Sequence, residues 1–198
     1  MKTATRIGLM VVSAWVLTPA TALAWKLAEA NKPFTHQGSG YSVQFPPGWK
    51  YSKLWFSDES GATREGPSLQ AIFVDFRAHK SAFKALKKQS TADMLPQETA
   101  ENLVADMTKE RGLENVNIIA DEPATLAGRP AFRLRFEYRQ GVERGAVRYR
   151  ESIVGTLNEK GLYLVGYRAP VIFYYDRDAA SFESVLGSFS IAAAAAAR

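Results

Sequence analysis

The chain contains no cysteine and only two histidines, His36 and His79. The first absence excludes disulfides, thiolate chemistry, cysteine-ligated zinc and iron–sulfur clusters, as well as a lipid anchor on cysteine. The two histidines stand far apart, with no His-x-x-x-His or His-Glu-x-x-His spacing, so no zinc motif is present. Asp58-Glu59 and Asp121-Glu122 are acidic pairs without the calcium-loop pattern. No Gly-x-Ser-x-Gly elbow, no Gly-x-Gly-x-x-Gly and no Gly-Lys-Ser/Thr loop occurs. Charge of one sign is also scarce. The 25 basic and 20 acidic residues leave a mild excess without the dense basic patch of a nucleic-acid binder.

The N-terminus carries the most information. Lys2 and Arg6 precede an apolar run, Ile7 to Leu17, which Thr18-Pro19 breaks; Ala22-Leu23-Ala24 then supplies the small-x-small pattern of a cleavage site. This predicts a signal peptide over 1–24, cut between Ala24 and Trp25. The run is shorter than the ~20 residues a spanning helix needs, and no later segment is long enough to span. The remaining 174 residues would carry 23 basic and 20 acidic side chains, a net +3. They would form one soluble domain over 25–191, followed by an alanine-rich tail at 192–198. The expected location is the bacterial periplasm or the medium, and the expected state is a monomer.

Residues 25–34 read as a loose lead-in. Tyr41 to Phe45 alternates like a strand and stops at Pro46-Pro47-Gly48. Tyr51 to Phe56 reads as a strand, residues 57–67 as a hairpin loop, and Leu69 to Phe76 as a buried strand. Residues 79–95 are hard to read, with a possible helical turn at 83–88. Pro96 to Arg111 is predicted as a helix: Ala100, Leu103, Val104 and Met107 form one stripe, Pro96 suits the first turn, and Gly112 stops it. Three strands follow, at Val116 to Ala120, Ala131 to Arg139 and Ala146 to Val154. Leu162 to Arg168 is apolar on both faces, as in a central strand. A second helix, capped by Asp176 or Asp178 and ended by Gly187, presents Phe182, Val185, Leu186 and Phe189. Short turns between successive strands imply antiparallel neighbours and an α+β layout of six or seven strands with two helices.

Several blocks together resemble the PsbP/Mog1-like family. They are Gly40-Tyr41-Ser42-Val43-Gln44-Phe45-Pro46-Pro47-Gly48-Trp49, Leu126-Ala127-Gly128-Arg129-Pro130-Ala131-Phe132, Gly161 to Tyr167, and Phe182 to Phe189, ending in Ser-Phe. The resemblance spans about residues 40–190. It implies an antiparallel sheet covered by helices on both faces. Members are mostly non-enzymatic: photosystem-associated lumenal subunits, a nuclear transport cofactor and bacterial exported proteins of the DcrB type. A characteristic metal-binding histidine and the thylakoid arm of the photosystem proteins find no match here.

The candidate site is an arginine row. The period of two puts Arg133, Arg135 and Arg139 on one face of their strand, and Arg144, Arg148 and Arg150 share one parity in the next. If the apolar faces agree, all six point outward together. Guanidinium forks bind carboxylates, sulfates and phosphates bidentately. The row therefore reads either as a docking face for an unknown protein or an anionic envelope component, such as a lipid or glycan, or as a solvated face paired with Glu137 and Glu143. If helices cover both faces, the row must clear the helix or lie near an edge. Trp49, Trp55, Tyr174 and Tyr175 read either as groove aromatics or as plugs of the core edge. No residue is assigned to catalysis, metal or cofactor binding. The function expected is that of an exported, non-catalytic binding or accessory protein; the alternatives are a small envelope hydrolase and an anionic-lipid or glycan binder.

Overall fold

The computed structural model describes residues 25–52, 60–141 and 145–192. The leader, Trp55, Glu143, Arg144 and residues 193–198 of the tail lie outside them. Among the described residues the first strands are short: β1 (Lys26–Leu27), β2 (Phe34–His36), β3 (Tyr41–Val43), β4 (Lys50–Ser52) and β5 (Ser60–Thr63). The long ones are β6 (Ala71–Ala78), β7 (Glu114–Leu126), β8 (Arg129–Gln140), β9 (Val147–Leu157) and β10 (Gly161–Pro170). Two helices, α1 (Pro96–Arg111) and α2 (Tyr174–Ser188), and a final strand, β11 (Ser190–Ile191), complete them.

Eight strands form one sheet in the order β1-β4-β5-β6-β10-β9-β8-β7, and β11-β3-β2 form a second. Every pair is antiparallel. The large sheet thus exceeds the expected six or seven strands. The extra ones come from segments the sequence presents as loops. Lys26–Leu27 lies in the supposed lead-in, and Ser60–Thr63, inside the supposed hairpin loop, is a fully buried strand. Its sequence, Ser-Gly-Ala-Thr, has almost no strand propensity; pairing with β4 and β6 holds it in place.

Strict alternation divides the sheet into two cores. Phe132, Leu134, Phe136 and Tyr138 of β8 face α1 together with Phe73, Ile153, Leu162 and Leu164, and receive Leu103 and Met107. Val74, Val154, Tyr163, Val165 and Tyr167 face α2, where Phe182, Val185 and Phe189 pack with Phe34, Tyr41, Phe45 and Trp49 of the smaller sheet region. The helices therefore lie on opposite faces. Glycines make room for rings. A Cβ on Gly166 would collide with the Phe73 ring, and one on Gly155 with Phe132 and, at 2.8 Å, Leu164.

The bounds of α1 follow its sequence signals. Pro96 sits in the first turn, and Gly112 adopts φ 60°, ψ 43°, sending its N–H to the Thr108 carbonyl. Its apolar stripe is thin, and buried ion pairs supplement it. Asp106, fully buried, meets Arg77 at 2.9 Å, and Arg77 also binds Asp75 at 2.6 Å. At the other end Arg111 meets Glu151. For α2 two expectations are corrected. Neither Asp176 nor Asp178 caps it; Phe173 stands at the cap position with no side-chain cap. Asp178 is instead buried under Arg177 and Arg64. The helix runs through Gly187 to Ser188, and Phe189 takes the cap, because tertiary packing of Val185 and Phe189 overrides the glycine.

Candidate binding surface beside α2

The β8–β9 register puts five of the six arginines on one face; Arg144 lies outside the described residues. Arg139 lies opposite Arg148, and Glu137 opposite Arg150. Arg133, Arg135, Arg139, Arg148 and Arg150 therefore share the face that carries α2, with Phe132, Leu134, Phe136 and Tyr138 on the other. Because α2 packs mainly on β10, two strands away from β8, its side chains meet the row at Arg133 and Arg150.

Most of the row is internally engaged. Arg133 forks onto Glu183 of α2 at 2.7 and 3.0 Å, which raises its pKa. Arg150 binds Glu137 through Nε and Nη2, at 2.9 and 2.7 Å, and lies 4.9 Å from the centre of the Tyr175 ring. Arg148 is exposed and reaches Glu137 only at 3.7 Å. Among the described residues Arg135 and Arg139 make no ion pair. Pairing with acids thus absorbs Arg133 and Arg150 and only loosely engages Arg148, while among the described residues Arg135 and Arg139 stay unpaired.

The expected aromatics separate. Trp49 is buried in the core against α2, so it lines no open groove. Tyr175 is buried too, its hydroxyl on Ser152 at 2.5 Å. Tyr174 is half-buried; its carbonyl accepts from the Tyr167 hydroxyl, and Arg177 sits 5.1 Å from its ring centre. Burial raises the Tyr167 pKa, and the Asp178 charge adds to it.

What sequence reasoning missed lies between β10 and α2. The Val171 N–H donates to the Arg148 carbonyl, which seats the connection against the start of β9. Phe173 then adopts φ 72°, ψ −52°, and the Tyr174 N–H donates to the Ile172 carbonyl at 2.9 Å. That is the rare, strained form of the γ-turn. It holds Ile172 83% and Phe173 65% exposed. Val147, at 41%, stands at the same end of the sheet. An Ile-Phe-Tyr run carries no signal for such a turn, since a bulky residue disfavours positive φ.

Both histidines have structural partners. His36 Nδ1 accepts from the Ser39 N–H, and its ring stacks on Tyr41. His79 bridges the Ser90 hydroxyl and the Asn158 carbonyl, each at 2.8 Å. The carbonyl requires Nε2 to carry the proton, so Ser90 donates to Nδ1. A serine and an imidazole do meet, but the third partner is a main-chain carbonyl instead of a carboxylate. On the opposite face, a cavity of about 340 Å³ opens between residues 92–96 and the ends of β8 and β9, lined by Met94, Leu95, Arg129, Phe132, Thr156 and Leu157. Neither His79 nor Ser90 lines it. No group of three acidic or histidine side chains able to hold a metal occurs among the described residues.

No protein-family model matches the sequence, and no curated protein is detectably similar to it. Solved structures do match. The Ran-binding protein Mog1p of Saccharomyces cerevisiae aligns at a TM-score of 0.54 and 11% identity, over 86% of this chain and 96% of that one. PsbP (CyanoP) from Synechocystis aligns at 0.51 and 14% identity, over 88% and 98%. LpqN of Mycobacterium tuberculosis, involved in cell envelope biogenesis, aligns at 0.50 and 11%, over 82% and 90%. The chain has the PsbP/Mog1-like fold: an antiparallel sheet with a helix on each face.

Proposed function

We propose that this chain is an exported, non-catalytic binding or accessory protein of the bacterial periplasm, released by cleavage after Ala24, and that it works through a surface instead of a cleft. The observation that carries this reading is the open end of the α2 face. There Arg135 and Arg139 make no ion pair among the described residues, Arg148 meets Glu137 only at 3.7 Å, and Ile172 and Phe173 stand in solvent, while His79 is spent on a backbone carbonyl. Support of a coarser kind comes from the shared fold, since Mog1p binds Ran and LpqN serves envelope biogenesis; fold alone does not transmit function.

The test is capture from an envelope extract with the purified protein, beside an Arg135→Gln/Arg139→Gln/Arg148→Gln variant. The expected result is a ligand or partner retained by the wild type and lost by the variant. Ester or amide hydrolysis that disappears in both His79→Ala and Ser90→Ala would overturn the reading in favour of an envelope hydrolase. N-terminal sequencing of the secreted protein should begin at Trp25.

A further inference from the structure

The Ile172–Phe173 turn combines features that no internal role explains. Its two large apolar side chains are among the most exposed in the chain. The backbone beneath them is held at φ 72° on an aromatic residue, a conformation that persists only where its surroundings over-determine it. Three contacts do so: the Val171 bond to β9, the Tyr167 hydroxyl on the Tyr174 and Tyr175 carbonyls, and Arg177 stacked 5.0 Å from the Phe173 ring centre. Arg177 is itself fixed by Asp178 at 2.6 Å and Glu65 at 3.0 Å. The turn is therefore a rigid wedge.

Its surroundings identify what it meets. Arg148, whose carbonyl accepts the Val171 N–H, lies beside the turn, and Arg139 faces it across the β8–β9 pair on the side of the sheet that carries α2; they are the least neutralised members of the row at this end. An apolar tip backed by guanidinium groups matches the depth profile of an anionic bilayer surface, with acyl chains beneath a layer of phosphates. Two side chains supply too little area for a stable protein interface, which buries about 800 Å² per partner, but enough for shallow lipid insertion. We propose that the Ile172–Phe173 turn seats the protein on membranes rich in anionic phospholipid, with Arg139 and Arg148 on the lipid phosphates. This names the partner within the surface-binding reading above and rests on it.

The test uses purified protein and sedimentation with phosphatidylcholine vesicles, with and without phosphatidylglycerol, at low and high salt. The wild type should partition onto the anionic vesicles and come off at high salt. Ile172→Ser/Phe173→Ser should weaken partition roughly tenfold or more, and Arg139→Gln/Arg148→Gln should remove the salt dependence. Ile172→Ser/Phe173→Gly, whose glycine suits the turn, guards against a folding defect, with the thermal melt as control. Equal partition of the apex variants, or none by the wild type, overturns the proposal. So does a concentration-dependent dimer of the wild type that the apex variants lose, since the occupant is then a second copy. Capture of an envelope partner by wild type without vesicle binding sinks the lipid assignment and leaves the surface reading standing. Hydrolysis requiring His79 and Ser90 sinks the surface reading whatever the vesicles show.

Discussion

Arg111, in the last turn of α1, places one nitrogen 3.1 and 3.0 Å from the two carboxylate oxygens of Glu151, a side chain with no exposure at all. Its second nitrogen binds the Tyr138 hydroxyl at 2.6 Å, and that hydroxyl donates to Glu151 at 3.0 Å. Burial alone would lower the Arg111 pKa; Glu151 and Tyr138 outweigh it and leave it raised. The triad pins the C-terminal end of α1 to β8 and β9, as Arg77 with Asp106 pins its middle.

Breaking this triad on one side should be costly. Glu151→Gln or Arg111→Ala should destabilise the protein by about 3–5 kcal/mol, because each leaves a charge buried without its partner. The paired change Arg111→Met/Glu151→Leu should recover most of the loss. Urea unfolding of the three variants measures both effects.

Alkaline pH should unfold the protein through its buried phenols. Desolvation raises the Tyr138 pKa, with the Glu151 charge adding to it, and desolvation likewise raises that of Tyr167. A raised phenol is neutral in the fold and ionises sooner in the unfolded chain. The stabilisation is therefore complete below the ordinary tyrosine value of about 10 and is lost as pH climbs above it. Denaturant midpoints across that range should fall, and Tyr167→Phe should flatten the decline.

Gly166→Ala should cost about 1–3 kcal/mol, since its Cβ would enter the Phe73 ring. Phe73→Leu in the same chain should return part of the loss. Thermal melts of the single and double variants decide it.

Arg133→Ala, by contrast, should change stability by less than about 1 kcal/mol despite its two short bonds to Glu183, because both partners remain substantially in water. A larger loss in chemical denaturation would mean that this pair does more to hold α2 than its exposure implies.

Phe173→Gly should stabilise the fold by about 1 kcal/mol, since glycine accepts the positive φ that phenylalanine resists. The gain is reduced by the lost stacking of Arg177. A lower melting temperature would show that the ring contributes more than the turn costs.

Where a pattern is local, the sequence is transparent. The stripe Ala100, Leu103 and Met107 with Gly112 behind it marks α1 to the residue, and the alternation in 131–139 gives both the strand and the shared arginine face. What stays hidden is what only distant chain supplies. Ser60–Thr63 is a strand because β4 and β6 flank it, and the two-residue β1 exists only through β4. Asp106 and Glu151 look like surface charges until Arg77 and Arg111 arrive from other elements. The proposed binding surface divides the same way. Its arginines follow from parity, whereas the wedge depends on a backbone angle that no residue in Ile172-Phe173-Tyr174 announces.

Edge strand β7 meets β8 with two register shifts, between Glu114 and Asn117 and between Ile118 and Ala120, and carries Pro123 and the acids Asp121 and Glu122. A straight free edge would invite another chain to extend the ladder. Here the irregular spacing, one missing donor and the negative side chains spoil that template, so the sheet stops growing at β7 and copies crowded on a common surface can lie side by side without fusing into fibrils.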